Sequence, residues 1–371
     1  MKAKNATRRF APAGLVFAAL GLLLFVYFVR KAGVGEVWEY ARRLGWGFLV
    51  ILGLSGFRFA VRTLAWTLCF EAPHRLRFAD AFKAYLIGDA AGNVVPLGIV
   101  VSEPAKVAMV RERVPLVAGF SAIAVENIFY SLSVALFVFA GAAALLASFP
   151  LPRTLRWSSY GILAGVAVFL LAAYIVLRMR LKVLSGAVER LHARGLGRRL
   201  LESRRERVLS LEQRVYGFYE RRRAQFLPIL LLEACFHLAG VAEAYVTLYF
   251  ITGAPPSLLN AFVLESVNRV INVVFKFVPM RVGVDEAGTG MLAKALALGT
   301  GIGVTLAIVR KARMLFWTGV GVALLVARGL SLRSVADEAE RARETAMNAE
   351  VRSQTPEVRS PAATADVNSD F

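Results

Sequence analysis

Long apolar runs separated by short polar stretches dominate the chain. Six runs contain the roughly 20 apolar residues that a helix needs to cross about 30 Å of hydrocarbon. They cover Ala11–Val29, Phe48–Phe70, Pro115–Phe149, Trp157–Leu177, Phe226–Thr252 and Val304–Ala327. The pattern predicts six transmembrane helices. We interpret the first as a retained helix rather than a signal peptide, because it is long and lacks a small-residue cleavage pattern.

Two further apolar runs contain residues that break helices. The runs and their breakers are Phe78–Val101 with Pro96 and Gly98, and Leu258–Leu298 with Pro279 and Gly283. Proline removes a backbone donor, and glycine permits a non-helical turn. At membrane depth, such backbone is tolerated only where protein or a water-filled cavity surrounds it. We therefore expect each run to form a broken helical hairpin.

Basic residues predict the sidedness of these elements. Residues 178–225 carry 14 Arg or Lys against five Glu and no long apolar run, which is typical of a cytoplasmic loop. Counting from this loop with a cytoplasmic N-terminus makes both broken runs re-entrant, the first from the inside and the second from the outside. An alternative places the N-terminus outside and makes the first broken run a full span. The residues that favour this alternative are Arg30, Lys31, Arg42 and Arg43.

The two broken runs share a spacing. Each has a glutamate seven residues after its proline, and an ionisable residue 23 or 24 residues later in the next apolar run. The first set is Pro96 and Glu103 followed by Glu126, and the second set is Pro279 and Glu286 followed by Arg310. Broken segments at corresponding positions of two halves are a sequence pointer to a transporter binding site. The alternative is a chance similarity between two helix kinks.

This repeat divides the chain into two membrane halves. The first covers 1–177 and the second covers 226–328, joined by a basic cytoplasmic connector over 178–225. Residues 329–371 form a polar tail rich in Ala, Glu and Arg, which we expect to be disordered after a short helix. The expected fold is an all-α polytopic membrane protein with about six full spans, two re-entrant hairpins and two inverted halves.

Ionisable residues inside the apolar runs are candidates for function. Arg58 and Arg62 lie on one helical face, and each arginine at mid-bilayer costs about 2.5–3.5 kcal/mol. They predict a carboxylate partner, a cavity or an anionic head group, and a buried ion pair that only fixes packing is equally open. Glu265 and Arg269 predict an intrahelical ion pair. First-half candidates are Asp89, Glu103 and Glu126, and second-half candidates are Glu233, His237, Glu243, Glu265, Arg269, Lys276, Arg281, Asp285, Glu286, Arg310 and Arg313.

Composition agrees with a membrane protein. Hydrophobic residues make up 57% and charged residues 19%, against about 45–50% and 25% in soluble domains, and the mean hydropathy is +0.57. The 45 basic and 26 acidic residues give a net charge of +19, which cytoplasmic loops explain better than nucleic-acid binding. Cys69 and Cys235 form neither a disulfide framework nor a metal site. The glycine-rich stretch from Gly299 to Gly303 predicts a short turn before the last span.

No catalytic, ATP-binding or metal-binding motif is present in the sequence. We therefore expect no enzyme activity and no cofactor or metal. Any transport would be facilitated, coupled to a gradient, or driven by another subunit.

The first broken run resembles a known family. Residues 84–106 read AYLIGDAAGNVVPLGIVVSEPAK and are followed by Glu126. This stretch resembles the transmembrane region of bacterial lysylphosphatidylglycerol synthases, a flippase-like family with stand-alone members. The turn from Pro279 to Glu286 resembles the family more loosely, because Met280 and Arg281 replace a more Gly-rich turn. The resemblance covers about residues 10–328, and the 44 residues from Arg328 onwards cannot house the soluble aminoacyl-transfer domain of the two-domain synthases.

The resemblance implies a transporter that moves a phosphate-bearing lipid, anionic or aminoacylated, between leaflets of the bacterial inner membrane. The expected substrate-binding residues are Arg58, Arg62, Asp89, Asn93, Glu103, Lys106, Glu126, Lys276, Glu286 and Arg310, and the expected turn-shaping residues are Pro96, Gly98, Pro279 and Gly283. One alternative is a non-catalytic membrane scaffold or subunit for a lipid or glycan synthase. Another is an integral-membrane transferase acting on a lipid-linked substrate. The expected partners are membrane lipid and such a synthase, and a homo-oligomer stays open.

Overall fold

The structure, a computed structural model, describes residues 33–94, 98–179, 222–275 and 278–328, with isolated positions in 23–31 and at 217, 337, 341, 342 and 345. Regular structure within these ranges is all helical. The helices are α1 (Val34–Leu44), α2 (Gly47–Leu68), α3 (Phe78–Val94), α4 (Gly98–Ala108), α5 (Leu116–Ser148), α6 (Arg153–Met179), α7 (Arg223–Thr252), α8 (Leu258–Val274), a 3-10 turn (Pro279–Arg281), α9 (Val284–Ala295) and α10 (Thr300–Val326).

Four described helices are long and apolar enough to cross a membrane. They are Gly47–Leu68, Leu116–Ser148, Arg153–Val176 and Ala224–Thr252, and each coincides with a predicted span. Helix α10 also coincides with a predicted span and has 27 residues, but three cations near its middle keep it out of that set. The remaining predicted span over 11–29 lies almost wholly outside the described residues, as do Pro96, Lys276, the connector over 178–225 and the tail over 329–371.

Both predicted helix breaks are present. The first separates α3 from α4, and the second separates α8 from α9 with the 3-10 turn between them. In each case the two helices pack against each other as a hairpin. Helix α4 has 11 residues and α9 has 12, so they are about 17 and 18 Å long, too short to cross the hydrocarbon core.

The bundle has apolar side chains outside and many charged side chains inside. Phe57 on α2 is 50% exposed while the adjacent Arg58 is buried, and Leu238 on α7 is 66% exposed while His237 is buried. An isolated charge is costly inside a membrane unless it faces a partner or a cavity. Helices α2 and α7 pack along each other at the centre, and α10 contacts both as well as α3 and α9. This arrangement directs the charged faces of α2, α7 and α10 toward one another.

The glycine-rich stretch before α10 differs from the expected turn. Only Gly299 is a turn residue, with φ +99°, whereas Gly301 and Gly303 are already inside the helix. A Cβ atom on Gly303 would lie 2.7 Å from Cβ of Ala293 on α9. The prediction of a turn was therefore wrong for Gly301 and Gly303. Gly303 lets α9 and α10 approach closely.

Candidate functional site

Helix α2 supplies two buried arginines that lie near the same aromatic ring. Arg58 and Arg62 lie one helical turn apart and are 8% and 6% exposed. Their guanidinium carbons lie 4.6 and 5.5 Å from the centre of the Phe236 ring on α7. Phe236 thus contacts arginines of two groups of charged side chains, which we call the arginine pocket and the carboxylate cluster.

The arginine pocket surrounds Arg58. It has a cavity volume of about 40 Å³, which becomes about 350 Å³ when the open space at its mouth is included. Helices α2, α8, α9 and α10 and the turn before α9 contribute its lining. The lining residues are Arg58, Asn268, Arg269, Asn272, Arg281, Asp285, Arg310, Lys311, Arg313 and Met314.

Four carboxylates hold the cations of this pocket in place. Glu243 contacts Arg58 at 2.9 Å and also pairs with Arg313. Glu265 contacts Arg310 at 2.9 Å and pairs with Arg269, which confirms the predicted intrahelical pair, and it lies 3.7 Å from Arg58.

The other two carboxylates lie on the first turn of α9. Lys311 contacts Asp285 at 3.3 Å and Glu286 at 2.7 Å, and Arg281 lies 3.5 Å from Asp285. Six cations therefore face four carboxylates, so the pocket has a formal charge of +2 when all ten groups are ionised.

Several donors in the pocket have no hydrogen-bond partner among the described residues. They are Nε of Arg58, Arg269 and Arg281 and Nη1 of Arg310. Buried donors left unsatisfied cost about 1–3 kcal/mol each, and more when they are charged. Arg58, Arg269 and Arg310 are each more than 90% buried. Excess positive charge combined with unsatisfied guanidinium donors is the chemistry of a site for an anion with several oxygen atoms.

The turn before α9 carries Arg281 to the pocket. Met280 and Arg281 have φ of +49° and +50°, and Gly283 has φ +81°. The side chain of Glu286 accepts a hydrogen bond of 2.7 Å from the backbone N–H of Gly283 and so caps α9. The left-handed backbone at Met280 explains why a more Gly-rich turn is expected at this position.

Replacing Met280 with glycine should stabilise the protein by about 0.5–1 kcal/mol, because the left-handed conformation costs a residue with a Cβ atom about 1–2 kcal/mol and glycine recovers it at an entropic cost of about half that. The measurement is unfolding in detergent micelles. Met291→Gly on the exposed face of α9 is the matched control, and it should destabilise by about 1 kcal/mol. Changes of the same sign at both positions would contradict the strain at Met280.

The carboxylate cluster surrounds Arg62. Arg62 contacts Glu126 of α5 at 2.6 Å and lies 3.8 Å from Glu233 of α7. Its guanidinium also lies 3.7 Å from the centre of the Tyr130 ring. Arg62 is therefore absent from the lining of the arginine pocket and is held by an ion pair and an aromatic face.

Lys106 on α4 completes this cluster. It contacts Glu103 at 3.0 Å and lies 3.8 Å from the centre of the Tyr85 ring. A Cβ atom on Gly88 would lie 2.8 Å from the Ser102 carbonyl oxygen, so α3 and α4 approach each other closely here. Three carboxylates, of Glu103, Glu126 and Glu233, thus face two cations.

The expected site residues fall into three groups. Asn93 donates to Asp89 and to Thr318 at 3.1 Å each, which links α3 to α10. The carboxylate cluster contains Arg62, Glu103, Lys106 and Glu126. Arg58 and Arg310 line the arginine pocket, and Glu286 contacts its Lys311. Gly98 begins α4, Pro279 begins the 3-10 turn, and Gly283 precedes α9.

Some pocket residues that are absent from the expected binding set nevertheless have a signal in the sequence. Arg269, Arg281 and Arg313 are ionisable residues in apolar runs, so their positions already marked them as candidates. Lys311 carries the same signal in the run Val304–Ala327, although it was not among the candidates. Asn268 and Asn272 had no such signal, and only the packing of α8 against its neighbours reveals them. Within the described ranges, no group of three His, Cys, Asp or Glu side chains could hold a metal ion.

Comparison with models of protein families identifies the family of this chain, as follows. No curated protein and no solved structure matches the chain. The family model of the lysylphosphatidylglycerol synthase TM region matches residues 13–323, which includes both broken hairpins and every residue of the two charged groups. With its apolar helices, this match makes the chain a multi-pass membrane protein related to lipid synthesis or transport. The chain belongs to the family of the lysylphosphatidylglycerol synthase TM region.

Proposed function

We propose that this protein is a flippase-like transporter that moves a phosphate-bearing lipid between the leaflets of the bacterial inner membrane, without catalysing a reaction. The head group binds in the arginine pocket while the acyl chains stay in lipid. The lipid is anionic or carries an aminoacyl group. The observation that carries this proposal is the excess positive charge of a buried pocket whose guanidinium groups keep free donors.

A phosphate group fits the unsatisfied chemistry of the pocket. Its oxygen atoms accept several hydrogen bonds at once, and guanidinium groups bind phosphate in a bidentate manner. Arg58, Arg269 and Arg310 come from three different helices, so a bound phosphate would join α2, α8 and α10. Asn268 and Asn272 on α8 add amide groups that can bind the glycerol or sugar hydroxyls of a head group.

The broken hairpins support a path for the head group through the membrane. Helices α4 and α9 are too short to cross the bilayer, and non-helical backbone at membrane depth needs a polar cavity around it. We propose that the hairpins are re-entrant from opposite leaflets, with the N-terminus in the cytoplasm. Glu103 and Glu286 keep Lys106 and Lys311 in place, and Glu126 does the same for Arg62.

Replacing Arg281 with glutamine should slow lipid movement with little loss of stability. Arg281 has the most exposed side chain of the pocket arginines, at 26%, and its ion pair with Asp285 is long, at 3.5 Å. Without Arg281, Asp285 still contacts Lys311. A hydrogen bond to a charged group is worth about 1.5–3 kcal/mol, so apparent affinity for the head group should fall roughly ten- to hundredfold. The measurement is dithionite quenching of acyl-labelled phosphatidylglycerol in proteoliposomes at low lipid-probe content.

Two comparisons make this result specific. Arg43→Gln removes an arginine that is half exposed and pairs with Glu39 on α1, so it should leave transport unchanged. An uncharged glycolipid with the same acyl chains should move slowly in every variant. Equal phosphatidylglycerol rates in the wild type, Arg281→Gln and Arg310→Gln would contradict the assignment of the pocket.

A second candidate is a membrane subunit for a separately encoded lipid or glycan synthase. Helix α6 favours it, because only 6% of its apolar segment is buried and it exposes Trp157, Leu171 and Tyr174 by 67, 59 and 63%. Such a face fits lipid, a partner protein or a second copy of the chain. Co-purification of a synthase with the wild type, its loss on substitution of these residues, and no lipid movement by the isolated chain would favour this candidate.

A further inference from the structure

The carboxylate cluster has an acidic group that the proposed transport does not use. Arg62 lies between Glu126 and Glu233, at 2.6 Å from the first and 3.8 Å from the second. Both glutamates are 0% exposed. Oε2 of Glu126 and Oε1 of Glu233 have no hydrogen-bond partner among the described residues. One guanidinium therefore serves two fully buried carboxyl groups, and Glu233 is the one left with the weaker contact.

Oε2 of Glu233 lies near the hydroxyl group of Ser133, which also contacts a backbone carbonyl oxygen. Ser133 lies 2.8 Å from the backbone carbonyl oxygen of Tyr130 and 3.5 Å from Oε2 of Glu233. The hydroxyl has one proton to share between these two acceptors, so Oε2 of Glu233 receives at most a weak hydrogen bond from Ser133. Ser133 also lies 3.1 Å from Nε2 of His237. A buried carboxylate with so little hydrogen bonding is costly in its charged form.

The charged groups around Glu233 do not compensate a second negative charge. Every helix packed near it contributes titratable or charged side chains. These are Arg62 and Cys69 of α2, Tyr85 of α3, Glu103 and Lys106 of α4, Glu126 and Tyr130 of α5, His237 of α7 and Arg269 of α8. Of these, Arg269 forms an ion pair with Glu265 in the arginine pocket.

With Arg269 assigned to Glu265, two cations face three carboxylates, which leaves one uncompensated negative charge in a membrane interior. Such a charge is expensive in a medium of low polarity. Binding one proton removes this excess charge from the five groups, while the nearby Asp89, which also faces Lys106, keeps its hydrogen bond from Asn93.

We propose that Glu233 carries an exchangeable proton, and that the group Glu126–Arg62–Glu233 is a proton-binding site that couples lipid movement to a proton gradient. The coupling rests on the proposed transport function. Proton uptake converts the Glu233 carboxylate to a carboxylic acid, while the Glu126–Arg62 ion pair stays intact. Proton release leaves two carboxylates competing for Arg62. Since Arg62 and Arg58 share the Phe236 ring, this competition is transmitted toward the arginine pocket.

Infrared spectroscopy tests the proton without any transport. In full-length protein reconstituted in phosphatidylcholine liposomes, the carbonyl stretch of a protonated carboxylic acid should titrate with pH and shift in D2O. Glu233→Gln should lack this contribution at every pH. In Glu126→Gln, the band of protonated Glu233 should disappear at a lower pH than in the wild type. Glu233 is then the only nearby carboxylate that can pair with Arg62, and this pairing favours its charged form. Glu39→Gln, an exposed carboxyl on α1, should match the wild type.

The spectra also define failure of the proposal. A Glu233→Gln spectrum equal to the wild type, or a Glu126→Gln titration equal to it, would overturn the proton site. If the glutamine variant does not fold, Glu233→Asp is measured instead, and its carboxylic-acid band should lie at a different frequency from that of the wild type.

Coupling is tested separately in proteoliposomes that contain phosphatidylglycerol and a trapped pH dye. Wild-type protein should take up protons with lipid movement, and Glu233→Gln should lose at least 90% of this uptake while still equilibrating lipid. Absence of lipid movement in all variants, with the infrared result as expected, would remove the transport function but retain the proton site. Lipid movement without proton uptake in the wild type would overturn the coupling.

Discussion

Replacing Glu265 with glutamine should lower the free energy of unfolding by about 3–5 kcal/mol, the range found when one partner of a buried ion pair is removed. Glu265 is 2% exposed and is the shared counter-charge of Arg58, Arg269 and Arg310. Glutamine keeps the size of the side chain but leaves three buried guanidinium groups with one negative charge fewer. Reversible unfolding in mixed micelles by SDS titration measures the loss.

A double variant separates charge from packing. In an Arg269→Gln background, one buried cation is already gone, so Glu265→Gln should cost at least about 1 kcal/mol less than in the wild type. Equal costs in both backgrounds would show that the effect comes from packing rather than charge. The matched control is Glu39→Gln, which breaks an exposed i,i+4 pair with Arg43 and should change stability by at most about 1 kcal/mol.

Much of the fold could be predicted from the sequence because the membrane imposes simple rules. Apolar runs of about 20 residues form helices, since no other open structure satisfies the backbone in lipid. The breaks near Gly98 and Gly283 follow from the same rule, as prolines and glycines interrupt otherwise uniform apolar segments. Helix ends were less predictable. Gly301 and Gly303 look like turn residues, but they lie in α10, where Gly303 faces the backbone of α9 and Gly301 faces the side chain of Glu36 on α1.

The site was predictable in its chemistry but not in its grouping. Arg58 and Arg62 are marked by their position in an apolar run, and periodicity places them on one face. Their partners lie on helices distant in sequence, Glu243 for Arg58 and Glu126 for Arg62, and spacing alone cannot select between the carboxylates available. These different partners assign the two arginines to different groups, although both lie near the ring of Phe236.

Helix α10 is in close contact with α3 at Gly321, and this contact helps to join the second half of the chain to the first hairpin. A Cβ atom on Gly321 would lie 2.6 Å from Cβ of Ala90 and even closer to the Leu86 carbonyl oxygen. Because a backbone oxygen cannot move without shifting α3, a large side chain there must separate the two helices. Gly321→Leu should therefore destabilise the protein by about 3 kcal/mol or more, at or above the upper end of overpacking effects.

Gly319, two residues earlier on the same helix, is the matched control for this substitution. It is exposed, and an added Cβ atom would meet nothing within 4 Å. Gly319→Leu should be neutral or stabilise by up to about 1 kcal/mol, since leucine is a better helix former than glycine and favours lipid. SDS titration of both variants measures the difference. Because the two positions share helix, residue and substitution, equal stability would mean that α10 does not pack on α3 through Gly321. A loss confined to Gly321→Leu, together with slower lipid movement in the folded fraction, would place this contact in the transport path.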